Sequence, residues 1–214
     1  MDPGLNQLLK WSIENSETTQ NDSTDPKAER PSGQGLNKEA IRSLMGGPSD
    51  ADLMKLSMAA IQSPDVSLDD KLVAFDNLEQ LIEIVDNANN LESLALWTPL
   101  VTELSNAEAG IRRMAAWCIG TAVQNNVKTQ ERALAVDALP LLVQLALGDP
   151  NDQVRRKAIY ALSSAIRNYP PALQVMVQHL PKDLRPGGAV NAGDMDDVDK
   201  VMDGIKQASG GTVR

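Results

Sequence analysis

Apolar residues recur every three or four positions along most of the chain, the period of an amphipathic helix and not of a strand. Leu5, Leu8, Leu9 and Ile13 form a first short stripe of this kind. From about Ser16 the pattern stops, and SETTQNDSTDPKAERPSGQG holds no large apolar side chain. Nothing there offsets the entropy of ordering the backbone, so it is expected to be a flexible linker. A second short piece runs from Asn37 to Met45 and ends at Gly46-Gly47-Pro48. Ser49 is placed as the N-cap of a helix to about Gln62 that carries Leu53, Leu56 and Ile61. Ser67 and Asp70 make a capping-box variant. The helix they open is expected to run to about Asp86 with Leu68, Leu72, Phe75, Leu78, Ile82 and Val85 on one face. Asn87-Ala88-Asn89-Asn90 reads as a breaker before a short helix and Trp97-Thr98-Pro99-Leu100.

The pattern then repeats. Trp97-Thr98-Pro99-Leu100-Val101 returns loosely as Ala138-Leu139-Pro140-Leu141-Leu142, 41 residues later. Ile111-Arg112-Arg113-Met114-Ala115-Ala116-Trp117 aligns with Val154-Arg155-Arg156-Lys157-Ala158-Ile159-Tyr160, 43 residues later. The helix opened by Ser67 is an earlier copy whose register the sequence leaves open. Two or three helices per repeat of about 40–47 residues is the architecture of armadillo and HEAT arrays. The fold expected is therefore all-α, a right-handed armadillo/HEAT-like helical solenoid with an N-terminal flexible extension. Residues 1–48 would form the amphipathic segment and linker, and 49–180 the repeat domain. Residues 181–214 would be a loop followed by a capping helix or a flexible tail. There Asp194 caps a final amphipathic piece with Val198, Val201, Met202 and Ile205.

On a helical wheel, Ile111, Ala115, Cys118, Ile119 and Ala122 share one face, as do Val154, Ala158, Ala161, Leu162 and Ala165. These faces are assigned to the core. Opposite them lie Arg113, Trp117, Gly120 and Gln124 in one copy and Arg156, Tyr160, Ser163 and Arg167 in the next. Stacked repeats align equivalent faces into an extended concave surface. Tyr, Trp and Arg are enriched where proteins bind proteins. The rings are thus either a contact surface or packing against a neighbouring repeat.

Composition narrows the chemistry. The chain has 214 residues and a net charge of −9, which disfavours nucleic-acid binding. Its aromatic content is only 3%, low for a β-sandwich or barrel. The single cysteine, Cys118, and the single histidine, His179, cannot build a disulfide or a Cys/His zinc site, and Cys118 falls on a core stripe. No Walker, G-x-G-x-x-G or G-x-S-x-G motif is present. Asp69, Asp70 and Glu79 are read as helix-start and solvated-face acids, and Arg112-Arg113 with Arg155-Arg156-Lys157 as small basic patches suited to an acidic protein. No apolar run approaches the roughly 18 residues that cross a bilayer. The N-terminus lacks the basic start and apolar run of a signal peptide. The expectation is a cytoplasmic monomer, not an enzyme, with no cofactor, no metal, no nucleic acid and no membrane contact.

Several runs are familiar together: Leu8-Leu9-Lys10-Trp11-Ser12-Ile13, Leu72-Val73-Ala74-Phe75-Asp76-Asn77, Asp86 through Asn90, and Leu96-Trp97-Thr98-Pro99-Leu100. Ile119 through Asn126 and Tyr160-Ala161-Leu162-Ser163 continue the set. Over residues 1–170 the chain resembles the fungal Fes-one family, armadillo-type nucleotide exchange factors of heat-shock protein 70. That resemblance implies a co-chaperone that grips one lobe of the chaperone's ATPase domain and speeds ADP release, so that ATP enters and the client leaves. The runner-up is an armadillo scaffold holding another acidic protein without exchange activity.

The resemblance also implies a docking surface at the ends of the long helices, at Asn87, Ala88, Asn89 and Asn90, Asn125 and Asn126, and Arg167 and Asn168. The wheel adds Trp117, Arg156 and Tyr160. An Arg at Ala88, or a charge reversal at Arg167, is expected to weaken docking without unfolding the array. An N-terminal client mimic would use Leu8, Leu9, Trp11, Ile41, Leu44 and Met45. Longer family members continue past the last repeat found here, which would leave this chain a weaker grip.

Overall fold

The computed structural model describes residues 47–210. Among them are ten α-helices, two short 3₁₀ turns and no strand. The helices are α1 (Asp50–Gln62), α2 (Leu68–Ile82), α3 (Val85–Ser93), α4 (Trp97–Thr102) and α5 (Ala109–Val123). They continue as α6 (Val127–Ala135), α7 (Ala138–Gly148), α8 (Asp152–Ile166), α9 (Pro170–His179) and α10 (Met195–Gly210). The 3₁₀ turn Glu103–Ser105 extends α4.

The register that the sequence left open is now fixed. Helices α2, α5 and α8 are each 15 residues long and occupy equivalent places in three successive repeats. α2 packs on α5, and α5 packs on α8 over the largest interface of the array. Each long helix has a partner from just before it in the chain: α1 on α2, the 3₁₀ turn on α5, α7 on α8. Each is followed by a short helix, α3, α6 or α9, and these also contact one another in order. The result is an all-α, armadillo-like solenoid whose third repeat is covered by α10, which packs on α7 and α8.

Local chemistry sets these boundaries. The Ser67 hydroxyl accepts from the Asp70 N–H at 3.2 Å and caps α2. Asn151 caps α8 by accepting from the N–H groups of Gln153 and Val154, and Asp194 does the same for Asp196 and Asp197 at the head of α10. The recurring prolines, Pro99 and Pro140, sit in the first turns of α4 and α7. The missing N–H costs nothing there, because first-turn donors have no partner within the helix.

All ten residues assigned to the core faces of α5 and α8 are buried. Many are alanines, and their small side chains let the two helices approach closely. At the N-terminal end the pattern departs from expectation. In α1 the buried face is Met54, Ser57, Met58 and Ile61, while Leu56 is exposed. Along α2 the stripe is buried from Phe75 to Ile82, but Leu68 is exposed and Val85 begins the next helix with its side chain in solvent. Asn87-Ala88-Asn89-Asn90 is no breaker. It lies inside α3, which ends in a Schellman motif: the Leu96 N–H bonds Leu91 O at 2.8 Å and the Ala95 N–H bonds Glu92 O at 3.0 Å.

That motif places Ala95 at φ 56°, a left-handed conformation glycine adopts more readily. Ala95→Gly is expected to stabilise the fold by about 1 kcal/mol and to raise the thermal midpoint by roughly 2–4 °C. A midpoint unchanged or lowered in a calorimetric scan would contradict the assigned strain.

Candidate protein-docking cleft

The three long helices place their C-terminal halves side by side, and a cleft of about 440 Å³ opens there. Glu79 and Ile82 of α2, with Glu83, form one wall, and Val85 and Ala88 of α3 its rim. Trp117, Thr121 and Ala122 of α5 lie in the middle, followed by Gln124, Asn125 and Asn126 of the next turn, with Tyr160 of α8 opposite.

The aromatic wall is built on a glycine. A Cβ at Gly120 would lie 2.5 and 2.6 Å from the Tyr160 ring and 3.1 Å from the Ala161 Cα. Only a hydrogen in that place leaves room for the ring against α5. The Tyr160 hydroxyl then reaches Gln124 Oε1 at 3.3 Å. Trp117 packs partly against the core, and the Lys157 ammonium sits 3.4 Å from its ring centroid and 5.6 Å from that of Tyr160. The wheel left open whether the rings pack or face out. They do both, each resting on a neighbouring helix and showing its remaining surface to the cleft.

Glu79, expected on a solvated face, is buried and accepts a 2.7 Å hydrogen bond from the Thr121 hydroxyl. Burial lowers the Lys157 pKa, the Glu79 carboxylate raises it in part, and Arg113 lowers it further. Burial pushes the Cys118 thiol well above its usual range, so it stays protonated in the core. His179 is exposed at the end of α9 and bonded to its own helix at Val175 O. The described residues contain no group of side chains able to hold a metal and no helix long and apolar enough to cross a membrane. The cleft can hold a partner surface; it presents no assembled nucleophile.

Residues 5–91 match the family model for nucleotide exchange factor Fes1, and residues 87–180 match the C-terminal domain of SIL1, FES1 and HPBP1. The chain is 56% identical over 214 residues to the Hsp70 nucleotide exchange factor FES1 of Gibberella zeae, an alignment covering 98% of each. It is 51% identical over 209 residues to that of Coccidioides immitis, covering 97% of this chain and 99% of the relative. The chain belongs to the Fes1 family.

Longer Fes1 proteins exist. That of Kluyveromyces lactis is 44% identical over 166 residues, which cover 77% of this chain and 55% of the relative. The alignments to the relatives from Gibberella and Coccidioides cover 98% and 99% of those proteins. Among solved structures, the crystal structure of an engineered protein superposes with a TM-score of 0.51 at 14% identity. That alignment covers 80% of this chain and 71% of the other, and it is a likeness of fold alone.

The residues expected to dock a partner in this Fes1 chain separate into groups. Trp117, Tyr160, Asn125, Asn126 and Ala88 line the cleft. Ala88 is only 2% exposed, so an Arg there would disrupt the core and would not be the clean surface probe expected of it. Asn87 is buried too: its amide donates to Leu81 O at 3.0 Å and to Asp50 at 3.1 Å, tying α3 to α1. Asn89 accepts from the Asn126 amide at 3.2 Å, and Asn90 is exposed outside the cleft.

Arg156 is 77% exposed and pairs with Asp152 one turn back. Arg167 binds Asp199 of α10 and Ser163, and the Asn168 N–H bonds Ala192 O at 2.8 Å. Both therefore hold the C-terminal segment, and reversing Arg167 would loosen α10. Leu8, Leu9, Trp11, Ile41, Leu44 and Met45 lie outside the described residues.

The two basic patches come apart in the same way. The Arg112 guanidinium binds the Asp149 carboxylate through two bonds and the carbonyls of Asn106 and Ala107. Arg155 repeats the second contact on the carbonyls of Asp149 and Pro150. In both repeats the first arginine of the pair clamps the turn that precedes its own helix. The expected patch for an acidic partner loses both.

Proposed function

We propose that this chain docks on the ATPase domain of Hsp70 and accelerates ADP release, so that ATP enters and the bound client is freed. The supporting observation is the match to a protein named Hsp70 nucleotide exchange factor FES1, at 56% identity over 98% of both chains. The docking surface assigned is the cleft on α2, α5 and α8, with Trp117, Tyr160 and Asn125 as its central contacts. The chain acts as a monomer in the cytoplasm, makes and breaks no covalent bond, and needs no cofactor.

Exchange follows from differential binding. A factor that held the open, nucleotide-poor chaperone and the closed, ADP-bound one equally well would shift nothing. The cleft must therefore fit the ATPase domain better when it is open. Stopped-flow release of a fluorescent ADP analogue from a cytosolic Hsp70 tests this. The observed rate should rise and then saturate as the chain is titrated in. Binding without acceleration would make the protein a scaffold, and an absence of binding would overturn the assignment.

A further inference from the structure

We infer that Lys157 is a positioning residue, holding the Trp117 and Tyr160 rings in the one arrangement that fits the partner. The inference rests on the cleft being the Hsp70-docking surface. Lys157 does not line the cleft. It projects from α8 behind the rings, half-buried, with its ammonium 3.4 Å from the Trp117 centroid and 5.6 Å from that of Tyr160. No carboxylate lies within ion-pairing distance of it among the described residues, so its direct contact is with the Trp117 ring face and Glu79 acts on it through its field alone.

The arrangement links all three repeats. Glu79 of α2 bonds Thr121 of α5, one turn beyond Trp117. The Glu79 field favours the charged form of Lys157 on α8. Lys157 faces the Trp117 ring of α5, and Tyr160, one turn further along α8, returns to the residue that ends α5, Gln124. Without the ammonium, Trp117 and Tyr160 keep their apolar contacts but lose the one charged group that the ring faces attract. A partly exposed ring without that attraction samples several rotamers, and the partner must then order it on binding. Holding it in advance removes that cost.

The test uses the full chain as wild type, Lys157→Met and Lys157→Arg. Methionine keeps the unbranched apolar stem without the charge, and arginine restores a cation able to stack. Two quantities are read: affinity for Hsp70, and the fluorine NMR signal of Trp117 in fluorotryptophan-labelled protein, assigned by Trp117→Phe. Lys157→Met should weaken binding about tenfold, the upper part of the range for a partly desolvated cation–π contact. It should also shift and broaden the Trp117 signal. Lys157→Arg should bind within about twofold of wild type with a sharp signal.

Equal binding by all three proteins would overturn the inference, as would equal losses in both variants. An unmoved Trp117 signal in Lys157→Met would overturn it as well. If the wild type fails to bind Hsp70 at all, the functional assignment falls, and the Trp117 signal still decides whether Lys157 positions the ring.

Discussion

Replacing Arg112 with Met is expected to lower the thermal midpoint by about 10 °C, whereas the same change at the adjacent Arg113 is expected to move it by less than about 2 °C. The contrast follows from where the two guanidiniums go. Asp149 is almost fully buried, its side chain 2% exposed, and three donors satisfy its carboxylate. Arg112 supplies two of them, at 2.7 and 3.1 Å, and the Asn151 N–H supplies the third at 2.8 Å. Arg112 also holds the carbonyls of Asn106 and Ala107 at 2.8 and 2.7 Å. Its own pKa is raised, first by the hydrogen bond to Asp149 and further by the field of that carboxylate, against the cost of burial.

Methionine fills the volume but leaves a buried carboxylate unpaired and two carbonyls without donors. Removing one partner of a buried pair costs about 3–5 kcal/mol. A domain of this size loses about 2–4 °C per kcal/mol. Removing the stranded charge in a double variant, Arg112→Met with Asp149→Leu, should restore most of the loss, since apolar replacement of a whole buried pair is often neutral. Thermal unfolding followed by circular dichroism measures all three proteins. A midpoint for Arg112→Met within 2 °C of wild type would show that water reaches Asp149 and that the pair is no clamp.

The arginine pair also marks how far the sequence could be read. The period, the core faces of α5 and α8, and the caps at Ser67 and Asp194 all depend on spacing along a single helix. One-dimensional patterns carry that information directly. What an arginine does at the edge of a face depends on the conformation of the turn before its helix, and no helical wheel contains that turn. Arg112 and Arg155 therefore looked like surface charge, although each bonds carbonyls five and six residues back.

Asn87 through Asn90 failed for the opposite reason. Their composition favours a loop, but Ala88 and Leu91 bury one side of α3 and the Asn87 amide finds partners on two other segments. Tertiary contacts outweigh weak helix propensity over a single short helix. The cleft was half legible. Trp117 and Tyr160 stood out as rings opposite a core, whereas Glu79 and Lys157 needed a neighbouring helix to give them meaning. Gly120, a helical glycine facing those rings, was with the alanines of the core faces a signal in the sequence that two helices pack closely there.

Tyr160→Ala is expected to weaken Hsp70 binding about 30-fold while leaving the fold intact, the size of effect that marks a central aromatic anchor. The ring is only half-buried, so truncating it costs little stability. It does remove the wall opposite Glu79 and opens the space that Gly120 reserves. Tyr160→Phe loses only a 3.3 Å hydrogen bond to an exposed glutamine and should bind nearly as wild type does.

Gly120→Ala reaches the same end from the other helix. A methyl group cannot coexist with the ring at 2.5 Å, so the ring must shift from its place in the cleft, and affinity should fall as it does in Tyr160→Ala. Once the ring is gone, the Ala161 Cα at 3.1 Å remains of the three nearest atoms that the added methyl meets. The double variant should therefore bind no worse than either single one. Its interaction energy would be about as large as the single effects, far above the few tenths of a kcal/mol by which independent sites deviate from additivity. Additive losses in calorimetric titrations would mean that Gly120 and Tyr160 act on the partner separately, and that the ring owes its place in the cleft to something other than the missing side chain beneath it.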